Sequence, residues 1–185
     1  TNVQDANKTI NHFNFSLGYG KAARLRGAAI SLGGTQMWES VHGAQLAAGL
    51  NRAGGSVLGA QIALGFNETR GNLAGAQIGS VNVAKGAEVK GAQLGVGYSE
   101  ANDLTGMQTG VINEVKGDFM GMQLGGYSHL TQGGRGLQAG AYNQSVMSLT
   151  GVQLGGFSFT KGNVVGMQAG AANRAAEVVG MQVGG

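Results

Sequence analysis

Residues 121–128 read GMQLGGYS and residues 151–158 read GVQLGGFS, with GLQAGAYN (136–143) between them and GMQAGAAN (166–173) beyond. The glutamine of this motif, always two residues after a glycine and in most copies two before another, recurs at Gln45, Gln61, Gln77, Gln93, Gln108, Gln123, Gln138, Gln153, Gln168 and Gln182. The steps between them are 16, 16, 16, 15, 15, 15, 15, 15 and 14 residues. A degenerate copy, RGAAISLGG (26–34), sets Ala29 another 16 residues earlier, and FNFSLGYG (13–20) adds one more alternating segment. Self-similarity at a fixed period is the signature of a repeat architecture. Twelve candidate strands result.

The alternation within each unit is that of a strand. In NVVGMQAGAAN (163–173), Val165, Met167, Ala169 and Ala171 share one face, while Val164, Gly166, Gln168, Gly170 and Ala172 share the other. A period of two fits a pleated strand, and helix spacing does not. So many glycines would also penalise a helix. Between the strands lie TRGN (69–72), AKGA (84–87), VKGD (115–118) and TKGN (160–163), whose Gly and Asn or Asp suit tight turns. The segmentation is a tail over residues 1–12 and a single repeat β-domain over 13–185.

Composition agrees with an all-β chain. Gly supplies 37 of 185 residues and Pro none, so no ladder donor is lost to proline. Charged residues are 11%, against about 25% in ordinary soluble domains. Cys is absent, which excludes disulfides and thiolate metal sites. Twelve basic and nine acidic residues are scattered rather than blocked, and aromatics are few. Neither a basic nucleic-acid surface nor a stacking platform for bases emerges. No apolar run is long enough for a membrane helix.

The repeated Gln reads as a structural ladder: identical amides on neighbouring strands form a row of hydrogen bonds, and the flanking glycines leave room for it. A polar lining of a water-filled lumen is the alternative. The direction of pairing stays open, because Gly-x-Gln-x-Gly is symmetric about its centre. The residue after Gln alternates between large and small from Leu94 onward, through Leu124, Ala139, Leu154 and Ala169. That 30-residue superperiod favours an up-and-down antiparallel meander or β-barrel of about twelve strands, with the turn beside Gly117 pairing Gly110 with Gly121. About ten residues per strand suits a membrane-spanning barrel. A parallel β-solenoid with one coil per repeat is the alternative fold.

GAQIGSVNVAKGAEVKGAQLG (75–95) resembles the bacterial surface repeat-containing proteins, whose units read G-x-Q-φ-G-L-x-N-x-A. FNFSLGYGKAARLRGAAISLGG (13–34) is similar to their lead-in segment, so the resemblance covers residues 13–185. It implies export to the surface of a Gram-negative bacterium and no catalytic residues. It also implies a final aromatic-terminated strand. VGMQVGG closes this chain instead, which reads as a truncation or as evidence against a barrel.

Chemistry-bearing motifs are missing. No G-x-S-x-G is present, and the Gly-Lys pair in GYGKAA (18–23) lacks P-loop spacing. His12, His42 and His129 occupy different parts of their repeats, and Trp38 reads as an end plug or interface anchor. The expectation is therefore a non-enzymatic surface or outer-membrane structural β-protein, with pore formation among the roles a barrel admits. The alternative is an extracellular β-solenoid serving as adhesin, fibre or scaffold. No catalytic, cofactor-binding or metal site is assigned. Outer-membrane lipid and further copies of the chain are the expected partners, with no nucleic acid.

Overall fold

The computed structural model describes residues 10–184. The chain winds as a parallel β-solenoid of about twelve turns, each lying on the one before. One face of the early turns is built by β1 (Ile10–Ser16), β3 (Arg24–Ser31), β5 (Val41–Ala47) and β7 (Val57–Ala63). The opposite face holds β2 (Tyr19–Ala22), β4 (Gly34–Met37), β6 (Leu50–Ala53) and β8 (Phe66–Thr69). From β9 (Leu73–Val115) the strand runs through the corners, and β10 (Phe119–Leu130), β11 (Gly134–Ser145), β12 (Leu149–Thr160), β13 (Val164–Arg174) and β14 (Val178–Val183) follow. The tail assigned to residues 1–12 lies outside the described residues as far as residue 9, and β1 begins at Ile10.

Every pairing is parallel and in register with the repeat. Gly121 lies beside Gly106, Gln123 beside Gln108 and Gly125 beside Gly110. The antiparallel meander and β-barrel are therefore corrected to a solenoid. A hairpin would set Gly121 beside Gly110, whereas residue i stands beside residue i − 15. The turns stack as well: the Gly117 N–H donates to the Asn102 carbonyl at 2.7 Å, and Thr131 to Val115 at 2.9 Å.

Two features explain why the parallel stack forms. Gly27, Gly43, Gly59, Gly75, Gly91, Gly106, Gly121, Gly136, Gly151, Gly166 and Gly180 precede the central residue by two, and all have φ between +132° and +150°. L-residues rarely enter that region. A Cβ on Gly121 would also stand 1.9 Å from the Gly106 carbonyl oxygen. The glycine row therefore lets successive coils approach, and it does so only when glycine lies on glycine. The second feature is a closed interior. Core positions four residues before Gln carry Val41, Val57, Leu73, Val89, Leu104, Phe119, Leu149 and Val164, all buried, with Ala53, Ala84, Ala101, Val115 and Leu130 opposite them.

The large–small alternation takes its meaning from this stack. Leu124, Ala139, Leu154 and Ala169 lie on successive coils in one outward row. Neighbours in such a row are about 4.8 Å apart, so a small residue makes room for the large ones flanking it.

Candidate functional site

Inside the coil the amides form one continuous row. Gln61 Nε2 donates to Gln45 Oε1 at 2.9 Å, Gln77 to Gln61 at 2.8 Å and Gln93 to Gln77 at 2.8 Å. Gln108 donates to Gln93 at 2.7 Å, Gln123 to Gln108 at 2.9 Å and Gln138 to Gln123 at 3.0 Å. Gln153 donates to Gln138 and Gln168 to Gln153, each at 2.7 Å. Gln45 to Gln168 are fully buried, whereas Gln182, on the last strand, is exposed.

Many of these amides spend their second N–H across the interior. Gln61 reaches the Glu68 carbonyl at 3.2 Å, Gln93 that of Glu100 at 2.9 Å and Gln108 that of Glu114 at 3.3 Å. A second row runs opposite, with donors aimed the other way along the stack. Thr35 Oγ1 donates to Asn51 Oδ1 at 2.7 Å, Asn51 Nδ2 to Asn67 Oδ1 at 3.0 Å and Asn67 Nδ2 to Asn82 Oδ1 at 2.9 Å. Asn113 and Asn143 donate instead to the Leu124 and Leu154 carbonyls of the next coil, at 2.9 and 2.8 Å. Buried polar groups are costly unless paired, so these rows are the internal frame of the molecule.

Charged and aromatic side chains gather outside, on the second face. Glu68 is 3% exposed at its side chain and is held by Arg52 at 2.6 Å, Arg70 at 3.2 Å and Lys85 at 3.5 Å. Burial pushes its carboxyl up, but the two arginine hydrogen bonds and the surrounding cations outweigh that and hold it below the ordinary range. Two coils further on, the Tyr98 hydroxyl lies 2.7 Å from both Glu100 and Glu114, with one proton to donate between them, while Lys116 Nζ donates to Glu100 at 2.6 Å. Burial and then the two carboxylates raise the Tyr98 phenol strongly. Tyr127, Tyr142 and Phe157 continue the row, with ring centroids 5.5 and 6.5 Å apart. Glu68–Arg52, Glu100–Lys116, Tyr98–Glu114 and Tyr127–Tyr142 each join neighbouring coils, which is the geometry of ion and ring ladders along a stack. Among the described residues no group of His, Asp and Glu is arranged to hold a metal ion. Trp38 lies exposed at a turn, beside Arg24, Glu39 and His42.

The first face is different in kind. Two outward rows flank the buried glutamines, one preceding and one following each Gln. Neither holds a charged residue. Met107, Met122, Leu137 and Val152 wall a shallow groove whose floor is the backbone of Gly91, Gly106, Gly121 and Gly136. The rows were visible in the sequence as alternation, but the sequence alone does not decide whether they face a core, a lipid or solvent.

Comparison with protein-family models, with curated proteins and with solved structures finds no match.

Proposed function

We propose that the chain is a non-enzymatic structural β-solenoid, a scaffold, fibre or adhesin module carried on the surface of a Gram-negative bacterium. One observation carries the structural part of this reading. The polar groups that recur in the repeat point inward, and the Gln amides hydrogen-bond from coil to coil. The repeat thereby invests its chemistry in a long regular body with two extended faces. The surface location rests on the resemblance of residues 75–95 to surface repeat proteins. A pore has no basis in parallel coils with a filled interior.

Labelling intact cells of the source bacterium with a membrane-impermeant amine reagent tests the location. Exposed lysines such as Lys90 and Lys161 should label without lysis. Labelling that appears only after the cells are broken would refute surface display.

A further inference from the structure

The first face carries two outward rows whose residue sizes change over at the same place. In the row preceding Gln, Ala28, Ala44, Ala60, Ala76 and Ala92 are followed by Met107, Met122, Leu137, Val152, Met167 and Met181. In the row following Gln, Ile30, Leu46, Ile62, Ile78 and Leu94 give way to Thr109, after which small residues alternate with large ones. The early half of the face thus has a low row before Gln and a high row after it, whereas in the later half the row before Gln is high and the row after it alternates.

From this we propose that the first face binds the same face of a second copy of this chain, antiparallel, about a two-fold axis through the coil of Gln108. Such an axis lies along the strands in the plane between the sheets, so each row meets itself with the coil order reversed. Met107 then meets its own counterpart. Ala92 meets Met122, Ala76 meets Leu137, Ala60 meets Val152 and Ala44 meets Met167. In the other row, Ile78 meets Ala139 and Leu46 meets Ala169, while Leu94 meets Leu124, Ile62 meets Leu154 and Ile30 meets Val183 as contacts between large apolar side chains. Every alanine of the low half receives a large side chain from the high half. The cations at the edge of the face fit too: Lys90 meets Met120, Arg135 meets Ala74 and Arg26 meets Val179, so no like charges oppose each other. The axis is fixed by the Ala-to-Met changeover and owes nothing to the chain ends.

The area is sufficient. Eleven coils at ~4.8 Å, with about five residues of strand at ~3.3 Å each, give a face of roughly 800 Å² per partner. That matches the share of each partner in a standard stable interface, about 800 Å². The inference goes beyond the structural role proposed above and does not depend on where the protein resides.

The absence of native cysteine makes the test clean. The full chain should sediment at twice its chain mass. A mixture of two single-cysteine variants, Ala60→Cys and Val152→Cys, should join through a short bismaleimide into a mixed dimer. Ala60→Cys mixed with Ile62→Cys, which would meet in a parallel dimer, should not. Met122→Lys should reduce the mass to that of one chain with an unchanged far-UV spectrum, while His129→Lys on the second face should leave the dimer intact. Sedimentation of the unmodified chain as a single copy would overturn the proposal. So would linking of the second mixture, or flotation of single chains with lipid vesicles.

Discussion

Coils near the start of the solenoid and coils near its end turn the same corner in different ways. In the coils of Gln45 and Gln61, the inward Asn51 and Asn67 follow Gln by six residues, and the strand breaks at a two-residue bend, 48–49 or 64–65. In the coils of Gln108 to Gln168, the inward Asn or Ser follows by five, and the strand runs through the corner unbroken. One residue fewer moves the point of closest approach. In the longer corner Ala47 and Ala63 keep their methyl groups, and the crowding falls on Gly49 and Gly65, where a Cβ would lie 2.3 and 2.5 Å from a carbonyl oxygen of the previous coil. In the shorter corner it falls two residues after Gln: a Cβ on Gly125 would lie 1.9 Å from the Gly110 oxygen and 2.6 Å from Asn113 Nδ2. Corner length thus decides which glycine is indispensable.

The largest expected effect tests that contrast directly. Gly125→Ala forces backbone against backbone across the stack, and its cost should reach about 4 kcal/mol, the range reserved for a broken core. Ala63→Gly, at the matching place in a longer coil, should cost only about 1 kcal/mol through lost packing and added chain entropy. Thermal unfolding of the two variants compares them. Equal tolerance would mean that corner length does not set the glycine requirement.

The Gln row should not distinguish the halves in kind, only in degree. Gln123→Leu leaves Gln108 Oε1 without its amide donor and Gln138 Nε2 without its acceptor, at about 1–3 kcal/mol for each buried group. Gln61→Leu should cost more, because Thr69 Oγ1 also donates to Gln61 Oε1 at 2.7 Å. Gln182→Leu, exposed on the last strand, should stay within about 0.5 kcal/mol. Denaturant midpoints for the three variants give the order. An unchanged midpoint for Gln123→Leu would show that the row contributes nothing.

The core offers a third contrast. The row of Val and Leu that lines the early coils is interrupted later by Gly134, next to Phe119. A Cβ at Gly134 would stand 2.6 Å from both the carbonyl oxygen and the Cβ of Phe119 and 2.8 Å from its Cδ1, so backbone and ring both crowd the glycine. Gly134→Val alone should overpack by about 2–3 kcal/mol. With Phe119→Leu beside it, the ring contact is relieved while the backbone oxygen and Cβ contacts remain, so only part of that loss should disappear. A double variant no better than Gly134→Val would show that the two positions are not coupled.

The period, the all-β class, the inward side of Gln and the need for its flanking glycines are legible in the sequence. Each follows from residue type and two-residue spacing within one segment. Pairing direction is not legible there, since Gly-x-Gln-x-Gly presents the same face to a parallel or an antiparallel neighbour. The Leu124–Ala139–Leu154 alternation pointed to hairpins because size alternation between successive strands resembles a change of strand direction. In the stack it is a contact between equal positions. The second-face ladders were hidden for a related reason. Glu68 meets Arg52, and Glu100 meets Lys116, at separations of 16 residues, and such pairs become neighbours only once coil-on-coil register is known. A cue existed in the spacing of the inward polar residues: Gln123 and Ser128 are five apart, so strand parity must reverse at Gly125–Gly126, as a corner requires.

The smallest expected effect concerns the second polar row, which is continuous from Thr35 to Asn82 and interrupted in the later coils by Ser128 and Ser158. Among the described residues neither serine hydroxyl has a hydrogen-bond partner, and Asn113 Oδ1 and Asn143 Oδ1 have none either. Ser128→Asn rebuilds at this place the Asn51–Asn67–Asn82 arrangement. The new Oδ1 can accept from Asn113 Nδ2, as Asn67 accepts from Asn51, and the new Nδ2 can donate to the Ala139 carbonyl, as Asn113 does to that of Leu124. Gly140, on the coil that receives it, has no side chain in the way. Two hydrogen bonds at about 0.5–1.5 kcal/mol each, offset by the ordering of a longer side chain, should raise stability by about 1 kcal/mol. The midpoint of thermal unfolding measures this. A rise would show that the serines are gaps in a row that could run the full length of the molecule. A fall would show that the five-residue corner has room for only one amide in every two coils, making the Asn–Ser alternation a steric consequence of losing one residue.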